Sequence, residues 1–282
     1  MKSPTHYNVL KNRIFTCLTY SFVVLIVFLF LFPIYYLFTM SFKTPLDVVA
    51  SPPKLMFSPT LKNFHSLFYG ENFIKYFINS FLISSVCVIL SILMGAPFAY
   101  ALSRIKARWV GSAMFIVLVL RVIPPVSILV PFYSIFSILK LNDTFLGVIL
   151  LYMTFSFPLS VWLLKGAFDS LPESIEQAAW IDGCSTFQTF LRVSLPLVAE
   201  ALAAAAVLIF VNAWNEYLYA MIVTRSKMKT VTVVINTFMR FDETEYGLIA
   251  AAGVFISLPI VLFSLLVQKY LVSGMTAGAV KE

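Results

Sequence analysis

Ser170–Pro196 reads SLPESIEQAAWIDGCSTFQTFLRVSLP, and the organisation of the chain follows from it. The stretch lies between long apolar runs, yet it carries helix-start and turn residues of its own, as a folded element does and a loose linker does not. Ser170 with Glu173, and Ser185 with Gln188, have the spacing of capping boxes, in which side chains satisfy the unpaired N–H groups of a helix start. Acidic residues in the first turn also complement its positive end. The spacing predicts one helix from about Leu171 to Asp182 and a turn at Gly183, where no Cβ resists a left-handed backbone. A second helix should run through Phe187, Phe190, Leu191 and Leu195, with Pro196 ending it or starting the next. On the first helix Ile175, Ala178, Ala179 and Ile181 recur at helical spacing, so Glu173, Glu176 and Gln177 are expected to face elsewhere. By periodicity alone the pair also suits an interfacial helix resting on lipid headgroups.

The whole chain is 282 residues, 60% hydrophobic and only 12% charged, with a mean hydropathy of +0.92. An ordinary soluble domain carries about 25% charge, so this is an integral membrane protein. Its formal net charge of +7 does not point to nucleic acid, because the basic residues sit in short clusters beside apolar runs and form no stripe. Cys17, Cys87 and Cys184 make neither a disulfide framework nor a CxxC site, and His6 and His65 stand apart from them, so no metal centre is expected. No GxxxxGK[ST] phosphate loop occurs, and no nucleophile has a histidine base, so the chain is expected not to be an enzyme.

Six apolar spans are expected, at about 14–38, 77–103, 111–136, 144–164, 197–223 and 247–271, after a polar tail at 1–13 and with residues 165–196 as the loop between spans four and five. No small-residue cleavage site follows the first run, which reads as a retained span. The Pro-rich segment Thr39–Lys75 reads as an ordered loop. In span two, Ser91, Gly95, Ala99 and Ser103 fall four apart, a small-residue face on which another helix can approach closely. Span three holds Arg121, followed by Pro124, Pro125 and Pro131. Arginine at mid-membrane costs roughly 2.5–3.5 kcal/mol on insertion scales, so it should face the bundle interior, water or an acid. Prolines at that depth imply a kinked or discontinuous helix, which lines a pathway or is merely a structural kink. Span five carries Asn212, Asn215 and Glu216 in or near the membrane, although Glu216 also suits an outer interface with Tyr217 and Tyr219. Basic residues divide almost evenly between the two sides. Their density at Lys2, Lys11 and Arg13 and at Arg104, Lys106 and Arg108 favours those segments as cytoplasmic.

Gln177-Ala178-Ala179-x-x-Asp182-Gly183, running on to Leu195-Pro196-Leu197, resembles the EAA loop of ABC-importer permeases. SFKTP at 41–45, SPP at 51–53, LKNF at 61–64, the RVIPP and PFY region at 121–133, WNEY at 214–217 and the tail from Gly274 to Lys281 are similar to the carbohydrate, maltose-type class of that family. Two positions depart: the family's Glu is Gln177 here, beside Glu176, and a common Pro is Glu200. The resemblance implies an all-α type I permease domain over 14–282, multi-pass in a bacterial or archaeal inner membrane, with both termini and the loop cytoplasmic. Implied partners are a second, similar permease, two ATPase subunits that hold ATP and Mg, and an extracytoplasmic solute-binding protein. The chain itself would bind no cofactor. Glu173, Glu176, Gln177, Ala178, Ala179, Asp182 and Gly183 would couple to the ATPase, and Arg121, Asn212, Asn215 and Glu216 would line the solute pathway. An ABC importer for an amino acid, phosphate or metal is the nearest rival. A secondary transporter would need paired broken helices in two related halves and ionisable residues at midplane, at which Arg121 and Glu216 only hint in a sequence without an internal repeat, and a scaffold leaves the polar residues of spans three and five unexplained.

Overall fold

The computed structural model describes residues 6–239 and 245–277, with side chains at 15–239 and 245–265. Part of the Gly274–Lys281 tail, and of the polar segments at 1–13 and 224–246, lies outside the described residues. Among the described residues regular structure is helical, without strands: α1 His6–Ser41, α2 Phe73–Arg104, α3 Trp109–Val122, α4 Pro125–Ile138, α5 Phe145–Asp169, α6 Glu173–Ile181, α7 Thr186–Leu197, α8 Ala199–Trp214, α9 Leu218–Val223, α10 Val231–Ile235 and α11 Tyr246–Ala277. Among the described residues four helices are long and apolar enough to cross a membrane, α1, α2, α5 and α11, and the bent pairs α3–α4 and α7–α8 raise this to six if each is one span.

One bend bears out the discontinuity expected in span three, and the other corrects span five. Span three is two helices meeting at 89°. Ile123 and Pro124 have ψ of 122° and 129°, because a residue before proline is pushed out of the helical region, and neither proline offers an N–H to carry the ladder across. Span five is not continuous over 197–223: α8 meets α7 at 77° and stops at Trp214, before the short α9. Pro196 stands at the start of the last turn of α7, Leu195–Leu197, and the break follows at Val198.

The chain forms two compact units, residues 1–71 with 238–255 and residues 72–237 with 256–282. In the first, the most apolar stretch of α1 buries nothing within the chain, so it needs lipid or another subunit. The segment after it is ordered by two side chains. Asn63 Nδ2 donates to the carbonyls of Ser41 and Lys43, both at 2.9 Å, and the buried Lys43 ammonium donates to Lys54 O at 2.7 Å while facing the rings of Tyr36 and Phe57.

The second unit is built on the extensive pairing of α2 with α5. The small-residue face makes it: Ser91, Gly95 and Ala99 are buried, Ser160 Oγ donates to Ser91 O at 2.8 Å, and a Cβ on Gly95 would collide with Ser160. Two apolar cores flank the crossing. One gathers Ile83, Leu129, Tyr152, Ala213 and Val223, and the other gathers Ala99, Tyr100, Leu164, Phe168 and Phe190. Trp214, almost fully buried, donates from Nε1 to Ile256 O at 3.1 Å.

Candidate functional site

The Ser170–Pro196 loop folds as a helix, a turn and a second helix. Its first helix, α6, starts two residues later than expected because Pro172, with φ fixed near that of a helix, takes the N-cap. The Ser170–Glu173 capping box does not form; Ser170 Oγ instead donates to Ala167 O at 2.7 Å, finishing α5. The Ser185–Gln188 box does form, with both reciprocal bonds, at 3.3 and 2.9 Å. Gly183 has φ +88° and donates its N–H to Trp180 O at 3.0 Å, closing the turn.

The faces of α6 differ from expectation: of Ile175, Ala178, Ala179 and Ile181 only Ala179 is buried, and of the three polar residues Glu176 is turned inward. Glu176 points inward and is 2% exposed, while Ile181 is 86% exposed. Arg104, at the end of α2, donates through Nε and Nη2 to the two Glu176 oxygens at 2.7 and 2.8 Å. Tyr100 Oη adds a bond at 3.2 Å and Ser194 Oγ one at 2.7 Å. Burial pushes the Glu176 carboxyl up, but the bonds from Arg104 and Ser194 outweigh it and hold it below the usual carboxylate range. Arg104 Nη1 also donates to Phe168 O at 3.1 Å, so one ion pair joins α2, α5, α6 and α7. Beneath it Tyr100, Phe168 and Phe190 pack ring on ring at 5.0–6.2 Å. Ala179 is buried with Glu176, whereas Gln177, Ala178, Asp182 and Gly183 are exposed. Glu173 is exposed and pairs with Lys106 at 2.9 Å. Ile175, Trp180, Ile181 and Phe187 leave an apolar surface open on the outside of the loop.

Three of the four expected pathway residues meet in one cavity of about 300 Å³, lined by Arg121, Asn212 and Glu216 together with Thr154, Phe155 and Tyr219. Asn215 is exposed at the end of α8 and is not among the lining residues. Phe155 and Tyr219 stack at 5.7 Å and 13°, an apolar platform beside the polar groups. Asn212 Nδ2 donates to Leu208 O at 2.7 Å, and Glu216 Oε1 accepts the N–H of Tyr219 at 3.1 Å. Arg121 makes no ion pair among the described residues.

Residues 88–277 match the sequence model of the binding-protein-dependent transport system inner membrane component. The chain belongs to this family. Among curated family relatives, the trehalose transport permease SugB of Mycobacterium tuberculosis is 35% identical over 89% of this chain and 92% of its own length. The trehalose/maltose permease MalG of Thermococcus litoralis is 32% identical over 92% of this chain and 94% of its own. A chain of a bacterial ABC transporter involved in import of the acidic polysaccharide alginate superposes with a TM-score of 0.77, covering 96% of this chain and 99% of that one, at 22% identity. At that identity the likeness speaks for the fold. As a family member, this chain is an ABC-transporter permease of the inner membrane.

Several residues of this permease's site had no local signal. Arg104 reads as part of a basic loop, Tyr100 as an ordinary span residue and Ser194 as an ordinary residue of the Ser170–Pro196 loop. Only the complementary charge of a span-end Arg and a loop Glu could have paired the first with Glu176, and they lie 72 residues apart. Thr154 and Phe155 sit in a span at no distinctive spacing, and Tyr219 reads only as an interface residue near Glu216.

Proposed function

We propose that this permease is one of two paired subunits in an ATP-driven importer for a sugar or sugar-like solute, with both termini and the Ser170–Pro196 loop in the cytoplasm. The observation that carries the reading is the loop: a short helix with an open apolar outer surface, tied to the bundle by a buried ion pair on its inner face. A partner that docks on Ile175, Trp180 and Ile181 pushes on a rigid body, because Arg104 and Glu176 pass the displacement to the ends of α2, α5 and α7. Two ATPase subunits, which hold the nucleotide and Mg, supply that push. Glu173, Gln177, Ala178, Asp182 and Gly183 form the outward side of the joint, and Glu176 and Ala179 its inward side. The Arg121–Asn212–Glu216 cavity is this chain's share of the pathway, with the Phe155–Tyr219 platform suited to the apolar face of a sugar ring. The sugar class is favoured by the trehalose and trehalose/maltose relatives, and a binding protein delivers the solute.

The test is co-purification of the detergent-solubilised chain with its ATPase, comparing wild type with Gly183→Pro. Proline can adopt neither φ +88° nor the N–H bond to Trp180. The variant should insert normally yet lose both the ATPase and sugar uptake. A chain that never retains an ATPase, and moves solute alone in liposomes, would make a secondary transporter the correct reading.

A further inference from the structure

The cavity between the α3–α4 bend and the start of α9 holds two opposite formal charges that do not touch. Arg121 lies in the last turn of α3, beside the 89° bend, and forms no ion pair among the described residues. Glu216 lies in the gap between α8 and α9 and uses Oε1 to accept the Tyr219 N–H. The walls around them are mostly apolar, with Ile128, Phe132 and Leu159 among them, so an approach of the two charges is screened far less than it would be in water.

The two sides are held very differently. The Glu216 carbonyl accepts Tyr152 Oη at 3.3 Å and Thr232 Oγ1 at 2.8 Å, and Tyr152 is fully buried, so this wall is anchored to α5 and α10. On the other side α4 is already packed against the same wall through Leu129 and Phe136, whereas α3, which carries Arg121, buries only Val117. Between them Ile123 and Pro124 already lie outside helical geometry, and Pro124 and Pro125 have no N–H to lose, so a change of bend angle breaks few hydrogen bonds. A sparsely buried α3, whose arginine has no ion pair among the described residues, thus stands beside a fixed wall bearing a carboxylate.

We infer that Arg121 and Glu216 are the two halves of a latch: α3 swings about the α3–α4 bend toward the α8–α9 wall, the ion pair forms, and the cavity between them closes. The inference rests on the transport reading and deepens it, because the pair and an occupying solute exclude one another. Solute entry opens the latch, and its departure lets the latch re-form in one stage of the cycle. Closure neutralises a charge that is otherwise unpaired at membrane depth, and that supplies its driving force.

The experiment joins the two positions directly and needs no knowledge of the solute. Arg121→Cys and Glu216→Cys are combined in a full-length chain whose Cys17, Cys87 and Cys184 are serine, in proteoliposomes with the ATPase. Oxidative crosslinking is read with no nucleotide and with ATP and vanadate. The expected result is a disulfide whose yield differs between the two states by about tenfold, the signature of a shifted two-state population. No disulfide in either state, or the same yield in both, overturns the latch. A second measurement uses native charges: Arg121→Glu and Glu216→Arg should each abolish uptake while leaving co-purification of the ATPase intact, and the exchanged pair should recover part of it. A double variant no better than the poorer single also counts against the latch. Failure of the ATPase to associate with wild type would instead overturn the transport reading, and crosslinking of the chain alone would still report whether α3 and the wall meet.

Discussion

The Arg104 guanidinium and the Glu176 carboxylate meet fork to fork, Nε on Oε2 at 2.7 Å and Nη2 on Oε1 at 2.8 Å. Bidentate geometry of this kind fixes orientation as well as distance. It gives a nine-residue helix outside the spans a rigid attachment: its inner face is set by a charge pair that does not slide, while its outer face is exposed.

Removing one member should therefore hurt more than removing both. Glu176→Gln leaves Arg104, only 16% exposed, beside an amide that satisfies part of its fork. Breaking a buried pair in this way costs roughly 3–5 kcal/mol, toward the lower end here because Arg104 keeps some contact with water. Thermal unfolding in detergent should fall accordingly, and trypsin should cut faster after the exposed Arg192 in the same loop. Combining Glu176→Gln with Arg104→Gln should recover part of the loss. A double variant as unstable as the sum of the singles would mean that the two residues act independently.

The pH dependence of that joint has a definite sign. The Glu176 carboxyl is held below its ordinary value of 4.5, so its contribution is complete above that pH and disappears only as pH falls through the depressed value. The gap in thermal midpoint between wild type and Glu176→Gln should stay constant from about pH 8 to pH 5 and narrow below pH 4.5. Narrowing that already begins near neutrality would show that burial, not Arg104, controls the group.

The α2–α5 crossing makes a steric prediction. Gly95 has no room for a Cβ, which would run into Ser160 Oγ and Cβ. Gly95→Ala should push the two helices apart and cost about 1–3 kcal/mol, the usual range for overpacking. Ser160→Gly removes both obstructing atoms, so the double variant should regain part of the thermal midpoint despite losing the Ser160–Ser91 hydrogen bond. No rescue would place the strain elsewhere.

What the sequence made legible was local. The four-residue spacing of small side chains located the α2 face that meets α5, paired prolines located a break in span three, and Ser185 with Gln188 located a helix start. Periodicity misled at Glu176, because treating a carboxylate as solvent-facing holds only while no cation from a distant segment faces it. The Ser170 box failed for a competing local reason: with Pro172 at the cap, the hydroxyl found the free carbonyl of Ala167 first. Polar residues in or near the spans pointed to Arg121, Asn212 and Glu216, which share a cavity, and equally to Asn215, which does not line it, while Phe155 was invisible, since a phenylalanine in a span carries no sign of which side it faces.

The turn after α4 offers a last test, at the other end of α5. Asp143, with φ 56°, accepts the backbone N–H groups of Arg225, Ser226, Lys227 and Met228 at 3.0–3.1 Å and donates its own N–H to Val223 O at 2.8 Å. Burial alone would raise its carboxyl, yet the bonds from Met228, Lys227, Arg225 and Ser226 bring it to about 2. The clasp is therefore complete above its ordinary value of 3.8 and loosens only as pH falls toward 2, so it does not respond to pH near neutrality. Charge, not pH, is the variable to change. Asp143→Asn turns one acceptor oxygen into a donor that faces other donors, and amide hydrogen exchange at residues 225–228 should quicken by about tenfold, the effect of roughly 1.4 kcal/mol of local opening. Val231 should keep its protection, because its N–H donates to Ser80 Oγ at 2.8 Å and Asn79 Nδ2 holds the carbonyls of Lys227 and Lys229 at 3.0 and 3.2 Å. Faster exchange at both places would mean that Asp143 organises the whole segment, and unchanged exchange at 225–228 would mean that the segment holds its shape without the carboxylate.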